Sequence, residues 1–181
     1  MTTPRIDPYE VPGRPCSIAA TLQVVGDRWS LLAVREVSLG NHRFRQIAKN
    51  TGAPTDRLSA RLKSLVADGV LERRPLPDEP RHDGYYLTEA GRDLLGVIRE
   101  LLRWGDRWLT TSPPMKLRHQ DHDFTPRPTC AHCGEPVTQG EVHAEVTAEG
   151  WTLAGPVVAH DDERAVHERP LGATGRQRRG Q

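Results

Sequence analysis

The chain has 181 residues, 36% hydrophobic and 27% charged, with 25 Lys plus Arg against 24 Asp plus Glu and a net charge of +1. That length suits one domain of ordinary size plus an appendage, and so even a balance names no partner by itself. An odd count of three cysteines argues against a disulfide framework, and with no apolar leader and no run of about 18 apolar residues, the expectation is a reduced, cytoplasmic protein with no membrane role.

In chain order, residues 1–15 are proline-rich and read as a flexible N-terminal arm. Ser17 to Val25 then reads as a helix, with Ile18, Leu22 and Val25 on one side. Asp27 is an N-cap for a second helix, Arg28 to Ser38, whose inward set is Trp29, Leu32, Ala33 and Val37. A short helix from Phe44 to Asn50 buries Phe44, Ile47 and Ala48. After the break at 51–54, Pro54 suits a first helical turn, with Ala53 as a weak cap. Leu58, Leu62, Leu65 and Val66 form the apolar face of the helix that follows, placing Asp56, Arg57, Ala60, Lys63 and Ser64 opposite. Gly69 ends it.

Strands at Val70 to Arg74 and Gly84 to Thr88 make a hairpin with a long, proline-rich tip. Thr88 caps a last helix reaching about Leu109, which carries two apolar lines: Leu94, Ile98, Leu101 and Trp108, and Leu95, Leu102 and Leu109. One line can pack on the domain; a copy of the same helix is the simplest cover for the other. Residues 110–129 read as a linker, 130–160 as a small extension containing a C-x-x-C pair and weak strands at 142–147 and 151–159, and 161–181 as a disordered tail. The expected fold is mainly α with a small β-hairpin wing, a winged helix-turn-helix over 16–109, plus a small irregular or β C-terminal extension.

Charge is uneven along this frame. From Gly40 to Arg74 eight basic residues face three acids, a local excess of +5 that suggests a polyanion-facing stripe. The stretches CSIAATLQVVGDRWSLLAVREVSLGNHRF, LSARLKSLVADGVLERR and YYLTEAGRDLLGVIRELLRWGDRW resemble the HxlR-type bacterial transcriptional regulators, relatives of the MarR group. The resemblance covers residues 16–109 and implies a homodimer, built largely from terminal helices, that binds operator DNA through paired recognition helices.

On that implied frame the exposed face near the N-terminus of the 55–67 helix meets base edges in the major groove. Thr55, Asp56, Arg57, Ser59, Ala60 and Lys63 are the candidates. Arg and Lys favour guanine O6 and N7, and Asp accepts from cytosine N4. Asp56 must otherwise act as a partner of the helix dipole. His42, Arg43 and Arg45 belong beside backbone phosphates; Arg73, Arg74, Arg81 and His82 belong to the wing, giving affinity and register. The plain alternative is a solvated face, with the Arg61 stem lying along the core edge.

Cys16 falls at the start of the first helix, where the dipole lowers a thiol's pKa. Some HxlR-type proteins use the cysteine at this position to sense oxidants or electrophiles; the plainer reading is a small, half-buried side chain. Cys130-Ala-His-Cys133-Gly resembles a zinc knuckle, with His119 and His122 as further ligands and His132 and His143 in reserve. A structural zinc, a reversible disulfide and an idle pair all stay open, and no other cofactor is required. The leading reading is a dimeric regulator, a repressor, of a palindromic double-stranded operator, answering a small-molecule inducer or a redox signal. A winged-helix protein-interaction module with a zinc-knuckle adaptor tail is the alternative. A zinc enzyme is a weaker third reading, lacking H-E-x-x-H or a comparable base.

Overall fold

The structure, a computed structural model, describes residues 5–138 and 140–157. The expected tail at 161–181 and the end of the expected 151–159 strand lie outside them. Contacts divide the chain into one unit ending at His143 and a second beginning at Ala144.

The first unit opens with five helices and a hairpin: α1 (Ser17–Val25), α2 (Arg28–Ser38), α3 (Phe44–Thr51), α4 (Thr55–Ala67), β1 (Leu71–Pro75), β2 (Asp83–Leu87) and α5 (Glu89–Trp108). A smaller hairpin follows, β3 (Arg118–His119) and β4 (His122–Asp123). Among the described residues no helix is long and apolar enough to cross a membrane.

Local chemistry explains most helix ends. The Asp27 carboxylate accepts from the Trp29 N–H at 2.8 Å and the Ser30 N–H at 3.2 Å, starting α2. Thr88 Oγ1 accepts from the Gly91 N–H at 3.1 Å and donates to the Gly69 carbonyl at 2.6 Å, so one hydroxyl caps α5 and ties it to the end of α4. Gly69 sits at φ +70, and the Val70 N–H reaches the Leu65 carbonyl at 2.9 Å. That left-handed closure suits glycine and turns the chain into β1.

The core is built from one side of each helix: Val34 and Val37 of α2, Ile47 of α3, Leu58, Leu62 and Leu65 of α4, and Leu71 of β1. Burying a leucine of this kind typically contributes about 1.5–3 kcal/mol. Leu94, Leu95 and Ile98 lay the first half of α5 against this cluster. At Gly91 an added Cβ would stand 2.2 Å from the Val70 carbonyl oxygen, so the start of α5 presses directly on the entry to β1.

Several expectations are corrected. Pro54 is the N-cap of α4 and no side chain caps that helix, while Ala53 is buried in the core and serves packing. The wing strands are displaced from the expected bounds by one residue, pairing Leu71 with Leu87 and Pro75 with Asp83. On α1 only Val25 is buried; Ile18 and Leu22 are 70% and 56% exposed. On α5 the exposed apolar line is Val97, Leu101, Trp104 and Trp108, a different grouping from the two expected lines. The expected arm is partly built in, for Val11 is buried. The expected linker carries β3 and β4, and Met115 and Leu117 border a cleft on α2 and α5. Residues 142–147 form no strand, and only an isolated bridge joins Trp151 to Pro156.

Candidate nucleic-acid interface

With Leu58, Leu62 and Leu65 fully buried, α4 turns Thr55, Asp56, Arg57, Ala60 and Lys63 to solvent and leaves Ser59 half-buried. The helical period demands this: residues three and four apart share a face. Among the described residues neither Arg57 nor Lys63 has an ion-pair partner, whereas Arg61 on the flank approaches Asp27 at 3.7 Å. The start of α4 has no side-chain cap. Its first N–H groups are therefore open to an anion, and Asp56 lies in that same first turn, favourably placed for the helix dipole.

The wing is differently made. Arg43, the residue before α3, reaches Asp78 at 2.6 Å and Glu79 at 2.9 Å in the wing tip. Hydrogen bonds to Glu79 and then Asp78 hold its guanidinium further in the charged form, and the Asp78 carboxyl is correspondingly below its ordinary range, Arg43 being the main cause. Arg73 approaches Asp83 at 3.4 Å, and Arg74 pairs with Glu72. His82 lies 3.4 Å from Glu79. Arg45 and Arg81 are exposed without an ion pair among the described residues.

His42 departs from its expected place beside phosphates. Its Nδ1 lies 2.8 Å from the Tyr85 carbonyl, its ring stacks on Tyr86 at 4.2 Å, and its own carbonyl accepts the Tyr85 N–H at 2.9 Å. It fastens the wing to the start of α3. A second anchor went unread in the sequence: Glu36 of α2, 3% exposed, accepts from Arg35, from Asn41 at 2.8 Å and from Asn50 at 2.8 Å. The signal, one charged residue beside the apolar face of α2, could not name its partners.

Cys16 is the N-cap of α1, its sulfur accepting the Ile18 N–H at 3.3 Å. Backbone bonds from Ala19 and Ile18 lower its thiol pKa against a smaller opposing effect of burial, and Arg14 adds a little. Of the expected metal ligands, His119 and His122 face each other across β3 and β4 with ring centroids 5.4 Å apart, and Cys130 and Cys133 share a separate turn. Among the described residues no three His, Cys, Asp or Glu side chains form a group able to hold an ion, so the expected four-ligand set stands as two pairs.

Comparison with known proteins agrees with this geometry. Residues 24–113 match the model of the HxlR-like helix-turn-helix family. An HTH-type transcriptional regulator of Mycobacterium tuberculosis is 44% identical over 133 residues, covering 71% of this chain and 84% of the relative. One from Synechocystis is 31% identical over 110 residues, or 60% and 82% of the two chains. A solved candidate transcription factor of Pseudomonas aeruginosa superposes with a TM-score of 0.50 at 26% identity, over 72% of this chain and 92% of that one.

Proposed function

The chain belongs to the HxlR-like helix-turn-helix family of transcriptional regulators, and on that premise we propose that it acts as a homodimeric repressor seating two α4 helices in successive major grooves of a palindromic operator. The observation that carries this reading is the outward face of α4, where Arg57 and Lys63 are exposed without ion-pair partners among the described residues, above an uncapped helix start. Arg57 and Lys63 are assigned to base edges; Thr55, Ser59 and the first N–H groups to bases and phosphates at the groove. Arg45, Arg73, Arg74 and Arg81 are assigned to the phosphate backbone. His42 leaves that set for its work in the wing.

Dimerisation is assigned to the exposed apolar line of α5, with Ile18 and Leu22 of α1 as further uncovered apolar side chains. Such a surface is unusual on a monomer, and twin helices set one turn of DNA apart need it covered. Leu101→Glu with Trp104→Glu is expected to give monomers with poor operator affinity, read by sedimentation. An inducer is assigned to the cleft of about 450 Å³ between α2 and α5, bordered by Met115 and Leu117. Filling it would shift α5 against the reading domain and alter the spacing of the two α4 helices.

The decisive experiment is titration of a labelled operator, selected from genomic fragments by the purified protein, at several salt concentrations. Affinity is expected to fall steeply as salt rises, through release of counterions from the phosphates. Absence of duplex binding would sink the reading and favour a protein-interaction module.

A further inference from the structure

We infer that the cleft between α2 and α5 takes a small organic anion, an apolar body with one acidic head, and that the linkage Arg35–Glu36–Asn50 carries its arrival to the start of α4. The inference rests on the reading of that cleft as an inducer site and deepens it, giving the ligand's chemistry and the route of its effect.

The cleft of about 450 Å³ is bordered by twelve residues, nine of them apolar. The other three are Arg35, Ser38 and Arg99, and among the described residues no acid borders it. Apolar walls with two guanidiniums and no facing carboxylate complement an apolar molecule that ends in a single negative charge. Arg99 is exposed with no ion pair among the described residues. Arg35 spends its Nε and Nη2 on Glu36 Oε1, at 3.0 and 2.7 Å, and its Nη1 has no protein partner among the described residues. The Arg35 side chain is 32% exposed and that of Glu36 4%. A molecule in the cleft therefore reaches the cation and not the carboxylate behind it.

Glu36 connects this rim to the reading helices. Its Oε2 accepts from Asn41 Nδ2, in the turn before α3, and from Asn50 Nδ2, near the end of α3, both at 2.8 Å. Beyond Asn50, α3 closes at Gly52 with φ +67, Ala53 is buried, and Pro54 caps α4. One carboxylate thus touches the cleft residue on one oxygen and the approach to α4 on the other. An acidic head on Arg35 competes with Glu36 for the same guanidinium. A carboxylate this buried is destabilised when its cation is drawn away, and it is relieved by turning toward water. Of its two amide donors Asn50 is the exposed one, so that bond is placed to yield, freeing the end of α3 and the angle at which α4 leaves it. Coupling of this kind is reciprocal: the operator-bound form, with Glu36 in place, binds the anion less well.

The test uses the full-length protein with anilinonaphthalene sulfonate as the probe. N-phenylnaphthylamine, the same body without the acid, is the control, and both are followed by fluorescence. Arg99→Met and Arg35→Met should each weaken sulfonate binding by about tenfold and leave the uncharged control within about twofold. Operator affinity should fall by about fivefold or more when the sulfonate is saturating. Asn50→Ala should keep the sulfonate affinity and lose most of that fall, with helical circular dichroism unchanged. Sulfonate binding indifferent to both arginine substitutions would overturn the ligand chemistry. Binding that appears only in the Leu101→Glu, Trp104→Glu monomer would overturn it too, since a second copy would then cover the cleft. A fall in Asn50→Ala equal to that of the unsubstituted chain would overturn the route. Absence of duplex binding without any probe would overturn the DNA reading and the route with it, while the arginine substitutions still decide the chemistry of the cleft.

Discussion

Helix α4 and the wing both contribute to one basic stripe in the sequence, yet they hold their charge in opposite ways. On α4, Arg57 and Lys63 are exposed with no acid paired to them among the described residues. In and beside the wing, Arg43, Arg73 and Arg74 are each matched to a carboxylate of the tip or strands. A phosphate approaching α4 meets a free cation; one approaching the wing root must compete with Asp78, Glu79, Asp83 or Glu72. Local net charge therefore overstates the wing and understates the helix. The proposed division of labour follows: the helix supplies unpaired charge and reading, and the wing supplies a largely balanced flank, pinned by His42 and Tyr86, in which Arg81 keeps an unpaired charge for phosphate.

The sharpest way to break this comparison lies on α4 itself. Leu62→Ala should cost about 2–5 kcal/mol of stability in chemical denaturation, because it opens a cavity in the core. Its neighbour Lys63→Ala should stay within about 0.5 kcal/mol; equal losses would contradict the assignment of faces. Next, Arg57→Ala with Lys63→Ala should weaken operator binding by about ten- to a hundredfold and flatten its salt dependence by roughly one unit of log–log slope per lost phosphate-directed charge. The same pair of substitutions in Arg73 and Arg74 should do clearly less if the wing is internally balanced.

A smaller effect would test the balance directly. Asp78→Asn with Glu79→Gln should tighten duplex binding, by no more than about fivefold, since exposed ion pairs are worth about 0–1 kcal/mol. If the acids act through Arg43, that gain should vanish in an Arg43→Gln background; a gain that persists would mean general repulsion of the duplex. Smallest of all, Cys16 should alkylate with iodoacetamide at a lower pH than free cysteine, as its backbone hydrogen bonds favour the thiolate. A profile matching free cysteine would remove the thiol from any argument about sensing.

Much of the fold was legible because its signals are local. The bounds of α1 and α2, the Asp27 and Thr88 caps and the Gly69 turn each depend on residues within a few positions of one another. The outward set of α4 was legible for the same reason, since a period of 3.6 fixes one face once the other is buried. Periodicity failed on α1 and on the second half of α5. There an apolar stripe says that something covers it, without saying what, and Ile18, Leu22, Trp104 and Trp108 remain exposed in the single chain.

Sequence alone thus determined the order of elements, the buried and exposed sides of α4, and the two short motifs that hold the histidine and cysteine pairs. Tertiary structure decided which charges are free. Arg43 and its acids lie 35 and 36 residues apart, and Glu36 meets Asn50 from 14 residues away; no local pattern encodes such partners. It also decided that Gly91 must be small, because a carbonyl from Val70 occupies the space a side chain would need. Propensity, capping and periodicity are properties of neighbours along the chain, whereas ion pairing and close approach are settled only when distant segments are brought together.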